Sequence, residues 1–570
     1  MTNEHEPNEA AEELDAATTE RARRREAALR RLDKTGPSKR AAAVLGIGAV
    51  AAVAAMTVAG SLWATTAPDM DTEARPAQLP AAQASSVCSG IPMLPEGSDD
   101  GTDVQFSADS SDAVSALAIT AASDLAGNLP GTAYFAAETS PNDTPSPTQI
   151  TESLSEDLQQ GPPATAGTDG TVTNRAHFEV ISDAAADGQP VALRVEPVGG
   201  TPGLAAGSTQ YAATDGDLAG MTTAACTPAA HQHWLTGATT TTGTTSVLTV
   251  TNPSETNSTV NLAVFGADGP VEESGISEIT LAPGQTQSLL VAGLAPSEDS
   301  VAVRVSSSGG PVGADIQQHR LDGILPAGVD TLQPATTGSN VVVPGLQIPS
   351  DVESIAEESG LEGQQPTLHV ASTGSAVSAT ITLRGPDGPV DIPSEASAIE
   401  LAPGASTTVD LSDVAPGTYA VEIDADANVV ASANSVAYNP AGDNEDATGN
   451  TAAVDTAYLP STAPIRGETL VALPALADPE SQLVLTSAEE ATVAITPLDD
   501  EGRRGEEFSQ ELSDQTAVTI DDEDAAGYIL ETDAGEVHAG VLVNSAAGIS
   551  AMPVNTVKET GSGLPVRLGY

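Results

Sequence analysis

The sequence predicts a mainly β protein, with a single N-terminal transmembrane helix followed by tandem β-sandwich modules. Three observations carry that prediction. No ionisable side chain lies between Arg40 and Asp69, and residues 41–63 are almost wholly apolar. Beyond them, short alternating runs of Val, Ile, Leu and Thr recur between Gly, Pro and Asp turns. One ordered set of strands and turns then recurs about 120 positions later.

The first element is the apolar stretch. At about 1.5 Å rise per residue, 41–63 reaches roughly 34 Å as a helix, enough for a hydrocarbon core of about 30 Å. Nine Lys/Arg crowd residues 21–40, against one, Arg75, in the 20 residues after the stretch. By the positive-inside rule the N-terminus faces the cytoplasm. A cleaved signal peptide is the competing reading. Its apolar core is usually only about 7–15 residues and ends at a small-residue cleavage site. Residues 8–34, with Glu20–Arg24 and Glu26–Arg30 at i,i+4 spacing, favour a solvent-exposed charged helix. Residues 64–85 are rich in Ala, Pro and Thr and read as a stalk.

Charge sharpens the division. The chain carries 20 Lys+Arg and 79 Asp+Glu, net −59. Residues 1–40 hold nine of each sign, so the whole excess belongs to the part beyond the apolar stretch. Such acidity repels a phosphate backbone and excludes nucleic acid as an expected partner. It speaks chiefly to solubility. The two cysteines, Cys88 and Cys226, both lie on the outer side. In an oxidising compartment they read most simply as one disulfide, with free thiols or an intermolecular bridge as alternatives. Closing a loop of 138 residues stabilises by roughly 5 kcal/mol in the chain-entropy model.

The repeat organises the remainder. Gly266–Val271 (GADGPV) recurs as Gly385–Val390 (GPDGPV), and Leu281–Gly284 (LAPG) recurs at Leu401–Gly404. Ala295-Pro296 recurs at Ala415-Pro416, and a shorter copy lies over Leu483–Val543. Val301–Val305, Ala379–Leu383 and Tyr419–Ile423 read as strands by their alternation. A strand entering after a Pro-Gly turn with an early Tyr, as at Tyr419, resembles the immunoglobulin/fibronectin-like sandwich, where the hydroxyl finds backbone. The expected domains are a cytoplasmic charged tail (1–40), the transmembrane helix (41–63) and the stalk (64–85). There follow a disulfide-linked β domain (86–235), β-sandwich repeats at 236–335 and 336–445, and a degenerate repeat at 446–570.

Residues 234–330 place Trp234, the Asn252-Pro253 and Asp268-Gly269 turns, LAPG at 281–284 and LAP at 294–296 in order. VAVRVSSSGGPVGA (301–314) and LDGILPAGVD (321–330) close the set. With the N-terminal anchor and two cysteines, this pattern resembles the uncharacterised actinobacterial membrane-protein family DUF5719. The resemblance implies an envelope protein, commonly encoded beside a family 2 glycosyltransferase and mannose-metabolism genes. It carries no catalytic residues with it.

Chemistry is sparse. Of seven histidines, only His231 and His233 could chelate from one face of a strand, and a zinc site needs three or four ligands. Asp424–Asn428 imitates the start of a calcium loop, but Val429 and Ser435 stand where Gly and Glu are required. Asp521–Asp524 reads as a solvated turn. There is no Gly-x-Ser-x-Gly elbow and no phosphate-cradling loop with Lys. Carboxylate pairs abound, yet only two tryptophans exist to stack sugar rings, one of them Trp63 inside the apolar stretch. The expectation is a non-catalytic envelope protein without cofactor or metal. Its named contacts are lipid through 41–63 and an envelope or glycosyltransferase protein partner through His231, His233 and Trp234. A structural spacer, with modules splayed like beads, and a carbohydrate-active enzyme are the alternatives.

Overall fold

The computed structural model describes residues 81–556, apart from 95–109, 124–127, 141–144, 161–174, 183–187, 272–277, 324, 351–364, 391, 395, 439–453, 477–478, 514–516, 523 and 533–534. The expected tail, transmembrane helix and most of the stalk lie outside these residues. Among the described residues no helix is long and apolar enough to cross a membrane.

Strands dominate, and alternation explains them. In Ser258–Gly266, Val260, Leu262 and Val264 point inward while Thr259, Asn261 and Ala263 are less buried. The expected strands at 301–305, 379–383 and 419–423 all fall inside observed ones. Gly284 and Gly404, which end the two LAPG turns, adopt φ of +73° and +71°. That left-handed conformation favours glycine, so the repeated sequence encodes a repeated backbone.

Among the described residues the strands form four modules, each an antiparallel pair of sheets around its own apolar core. Leaving out the short strands Thr227–Pro228, Gly269–Pro270 and Gly388–Val390 and counting the others from each module's start, one sheet runs 4-3-6-1 and the other 5-2-7-8 in all four. The first module begins at Ala84–Cys88 and reaches its eighth strand at Gly220–Ala225. The second runs from Gln232–Ala238 to Leu325–Leu332, the third from Gly338–Ile348 to Val454–Pro460, the fourth from Thr469–Ala472 to Gly548–Pro553. In the third module, strands six and seven are one continuous run, Gly417–Tyr438, that passes from one sheet to the other.

Three sequence expectations need correction. Gln232–Ala238 opens the second module, so that module starts inside the expected first domain. A boundary at 445/446 separates Val454–Pro460 from the strand it pairs with, because polar, turn-rich composition there imitates a linker. Finally, the immunoglobulin arrangement sets strand G beside F. Here the first strand flanks the sixth, while the seventh crosses to the second. That crossing lets the eighth strand extend the second sheet. The Tyr419 detail holds: its Oη donates to the Ala415 carbonyl at 2.8 Å. Tyr528, which follows Gly527 in the shorter copy over Leu483–Val543, is fully buried, and its hydroxyl has no hydrogen-bond partner among the described residues.

The modules close into a ring. Each module's first strand packs on the seventh strand of the next, and the fourth module's packs back on the first. The four eighth strands meet one another around a common centre. Apolar clusters seal the joints: Tyr211 and Val329 between modules one and two, Trp234 and Val430 between two and three, Leu459 and Leu542 between three and four, Leu470 and Ala122 between four and one.

Candidate functional site

The residues singled out in the sequence do not converge on one surface. His231 is exposed, its Nδ1 3.3 Å from Ser307 Oγ. His233 is buried, with Nε2 2.7 Å from the Val312 carbonyl. Trp234 is 4% exposed, stacked at 5.1 Å on Phe265, and packed against Ala371 and Val430 of the third module. Arg304 lies over both rings. The 231–234 segment is thus a joint between modules, with His231 and Gln232 at the surface and His233 and Trp234 buried. Cys88 and Cys226 form the expected disulfide and join the two sheets of the first module.

The strongest polar feature lies at the ring centre. Asp455, on the third module's eighth strand, accepts hydrogen bonds from three other modules. Its Oδ2 takes the N–H of Met221 at 2.9 Å and of Ile549 at 3.0 Å, and its Oδ1 that of Val329 at 3.1 Å. These three donors hold the same position in successive eighth strands: Gly220-Met221-Thr222, Gly328-Val329-Asp330, Gly548-Ile549-Ser550. Asp330 reaches the Tyr458 N–H at 2.5 Å and the Ser550 hydroxyl at 3.0 Å. Ser550 Oγ in turn accepts from the Thr223 N–H at 2.7 Å. Burial raises Asp455 to about 7 against the pull of its amide donors. Asp330 is raised well above the carboxylate range, first by burial, with Asp455's charge adding to it.

Glycine permits this convergence. A Cβ on Gly220 would stand 2.6 Å from Asp455 Oδ1, and one on Gly548 would overlap Oδ2. The sequence reading missed the hub. Its signal was the recurrence of Val329-Asp330-Thr331 as Val454-Asp455-Thr456, which alternation alone files as ordinary strand.

Beside the hub, between the second and third modules, lies a cavity of about 340 Å³. His369 stands in its wall with Nε2 3.3 Å from Thr367 Oγ1 and Nδ1 3.2 Å from Thr408 Oγ1. Burial holds its imidazole down to about 4, hence neutral at pH 7. Tyr458, its ring 5.9 Å from His369, accepts from Gln318 Nε2 at 3.0 Å. On the fourth module an open groove of about 850 Å³ carries Glu490, Glu507, Glu511 and Glu531. Among the described residues no three His, Cys, Asp or Glu are grouped to hold a metal ion.

Comparison with known proteins adds the family. No curated protein matches the chain. Solved structures similar to parts of it include a provisionally assigned beta-galactosidase from Bacteroides fragilis, with 9% identity over 42% of this chain and 32% of that one, TM-score 0.10. A glycosyl hydrolase family 2 member from Bacteroides cellulosilyticus shares 9% identity over 51% and 35%, TM-score 0.10. Dimeric latent PorU from Porphyromonas gingivalis shares 10% over 62% and 31%, TM-score 0.11. The chain thus spans about a third of the length of each structure, and none of them assigns it an activity. A family model matches residues 180–523, more than half of the chain. The chain belongs to the family of unknown function DUF5719.

Proposed function

We infer that this is a non-catalytic, single-pass envelope protein, held in the membrane by residues 41–63, whose acidic ring of β-sandwich modules binds or organises a cell-envelope partner. The observation that supports the reading is ring closure. A spacer gains reach by keeping its modules apart, whereas here every joint is sealed by apolar contacts and all four modules share one buried hub. Such a body presents fixed surfaces, as recognition requires, at the expense of length. The Cys88–Cys226 disulfide fits an oxidising, extracytoplasmic compartment. A component of glycan-synthesis machinery is the partner class that the family's resemblance suggests.

Crosslinking in intact cells followed by mass spectrometry tests this directly. Recovery of an envelope-biosynthesis component, with altered surface glycans on deletion, supports the role. Recovery of none, with glycans unchanged, removes it. Protease added to whole cells should shave the ring and spare residues 1–40, and the reverse pattern refutes the orientation.

A further inference from the structure

We propose that the cavity between the second and third modules is a binding site for a small neutral polyhydroxylated molecule, a sugar or cyclic polyol. This goes beyond the partner role and does not depend on it. The volume, about 340 Å³, falls at the low end of the range of small-molecule sites. Among the lining residues only Ala327 and Gly328 offer no polar side-chain group. Such a wall excludes an apolar ligand, which could not satisfy the hydroxyls and amides it would desolvate.

Charge argues against an ion. Asp299 and Arg320 stand in the wall with opposite signs, and His369 is neutral, so the site has no net charge to offer. Threonine hydroxyls and the carboxamides of Gln365 and Asn434 both give and accept hydrogen bonds, matching a ligand that presents many hydroxyls. The Tyr458 and His369 rings supply a surface for its C–H faces in a chain otherwise poor in aromatics.

Two atoms point to an occupant. Asn434 is 6% exposed, yet its Oδ1 has no hydrogen-bond partner among the described residues. Thr244 Oγ1, across the same cavity, is likewise buried without one. Buried polar atoms are nearly always paired, and leaving one unpaired costs roughly 1–3 kcal/mol. Asn434 sits in the third module and Thr244 in the second, and both residues line the cavity.

The test is saturation-transfer NMR on the full chain with D-glucose, D-galactose, N-acetylglucosamine and myo-inositol as probes, repeated on Asn434→Leu and Thr244→Val. At least one probe should bind saturably, and each substitution should weaken it about tenfold, the upper end of one hydrogen bond's net worth. Both variants should unfold no earlier than the parent, because each removes an unpaired buried polar atom. Equal binding of a methyl glycoside would identify the end of a glycan as the source, and loss on methylation a free sugar. No saturable binding by any probe, or unchanged binding in both variants, overturns the assignment.

Discussion

Removing the Asp455 carboxylate should unfasten the ring at its centre. Asp455→Ala leaves the N–H groups of Met221, Val329 and Ile549 without their acceptor, each inside the hub and each from a different module. At about 1–3 kcal/mol for each stranded donor the ceiling is near 9 kcal/mol. Relaxation and water entry lower the expected loss to about 3–5 kcal/mol, the usual cost of opening a buried charged network. Asp455→Asn should cost less. An amide oxygen at the Oδ2 position keeps Met221 and Ile549, while its NH2 faces the Val329 donor, a loss of about 1–3 kcal/mol. Because four modules can unfold separately, amide hydrogen exchange on Gly220–Ala225, Leu325–Leu332, Val454–Pro460 and Gly548–Pro553 is the decisive assay. Protection should fall on all four strands together in the alanine variant and less in the asparagine one. Loss confined to the third module, or none, would refute the hub as the common fastening.

Other expectations follow from the same geometry. Gly220→Ala forces a Cβ to 2.6 Å from Asp455 Oδ1 at a φ of +138°, and urea unfolding should show a loss of about 2–4 kcal/mol. Glu422→Ala strands the Arg384 guanidinium, 7% exposed and otherwise tied to the Ser487 carbonyl of the fourth module at 2.9 Å, and should cost about 3 kcal/mol in the same measurement. His538 is held down to about 4, first by burial, so between roughly pH 6.5 and 4 the unfolded chain binds a proton the native chain does not. Its contribution is present above that window and lost as pH falls through it. His538→Gln should therefore flatten the acid side of the unfolding midpoint, and an unchanged slope would show that the native chain takes up this proton as readily as the unfolded one. Asp315 and Asp455, both raised to about 7 chiefly by burial, act with opposite sign: the native chain holds the extra proton, and stability falls as pH rises from about 4 to 7. Asp315→Asn should weaken that alkaline-side decline.

Local chemistry made much of the molecule readable in advance. The Asp-Gly and LAPG turns dictate backbone that few other residues adopt, so strands at 301–305, 379–383 and 419–423 could be placed from the sequence. The disulfide followed from there being two cysteines and no third. The first module escaped as a copy because strand cores of Val, Leu and Ala constrain pattern and not identity. Val191–Val195 (VALRV) and Val301–Val305 (VAVRV) form the same sixth strand, and their Arg194 and Arg304 lie over Phe135 and Phe265 respectively. Trp234 reads as an exposed anchor in sequence, since alternation shows which face of a strand is apolar but not what covers it.

What the sequence determined by itself is the period-two alternation, the turns between strands, the disulfide partners and the acidic balance. All depend on residues close in the chain or on simple counts. The tertiary structure decided that four modules close into a ring, that Asp455 serves three neighbours, and that Asn434 and Thr244 face one cavity. Those relations join positions 94 to 234 residues apart at the hub. They depend on where whole modules come to rest, which no local preference specifies.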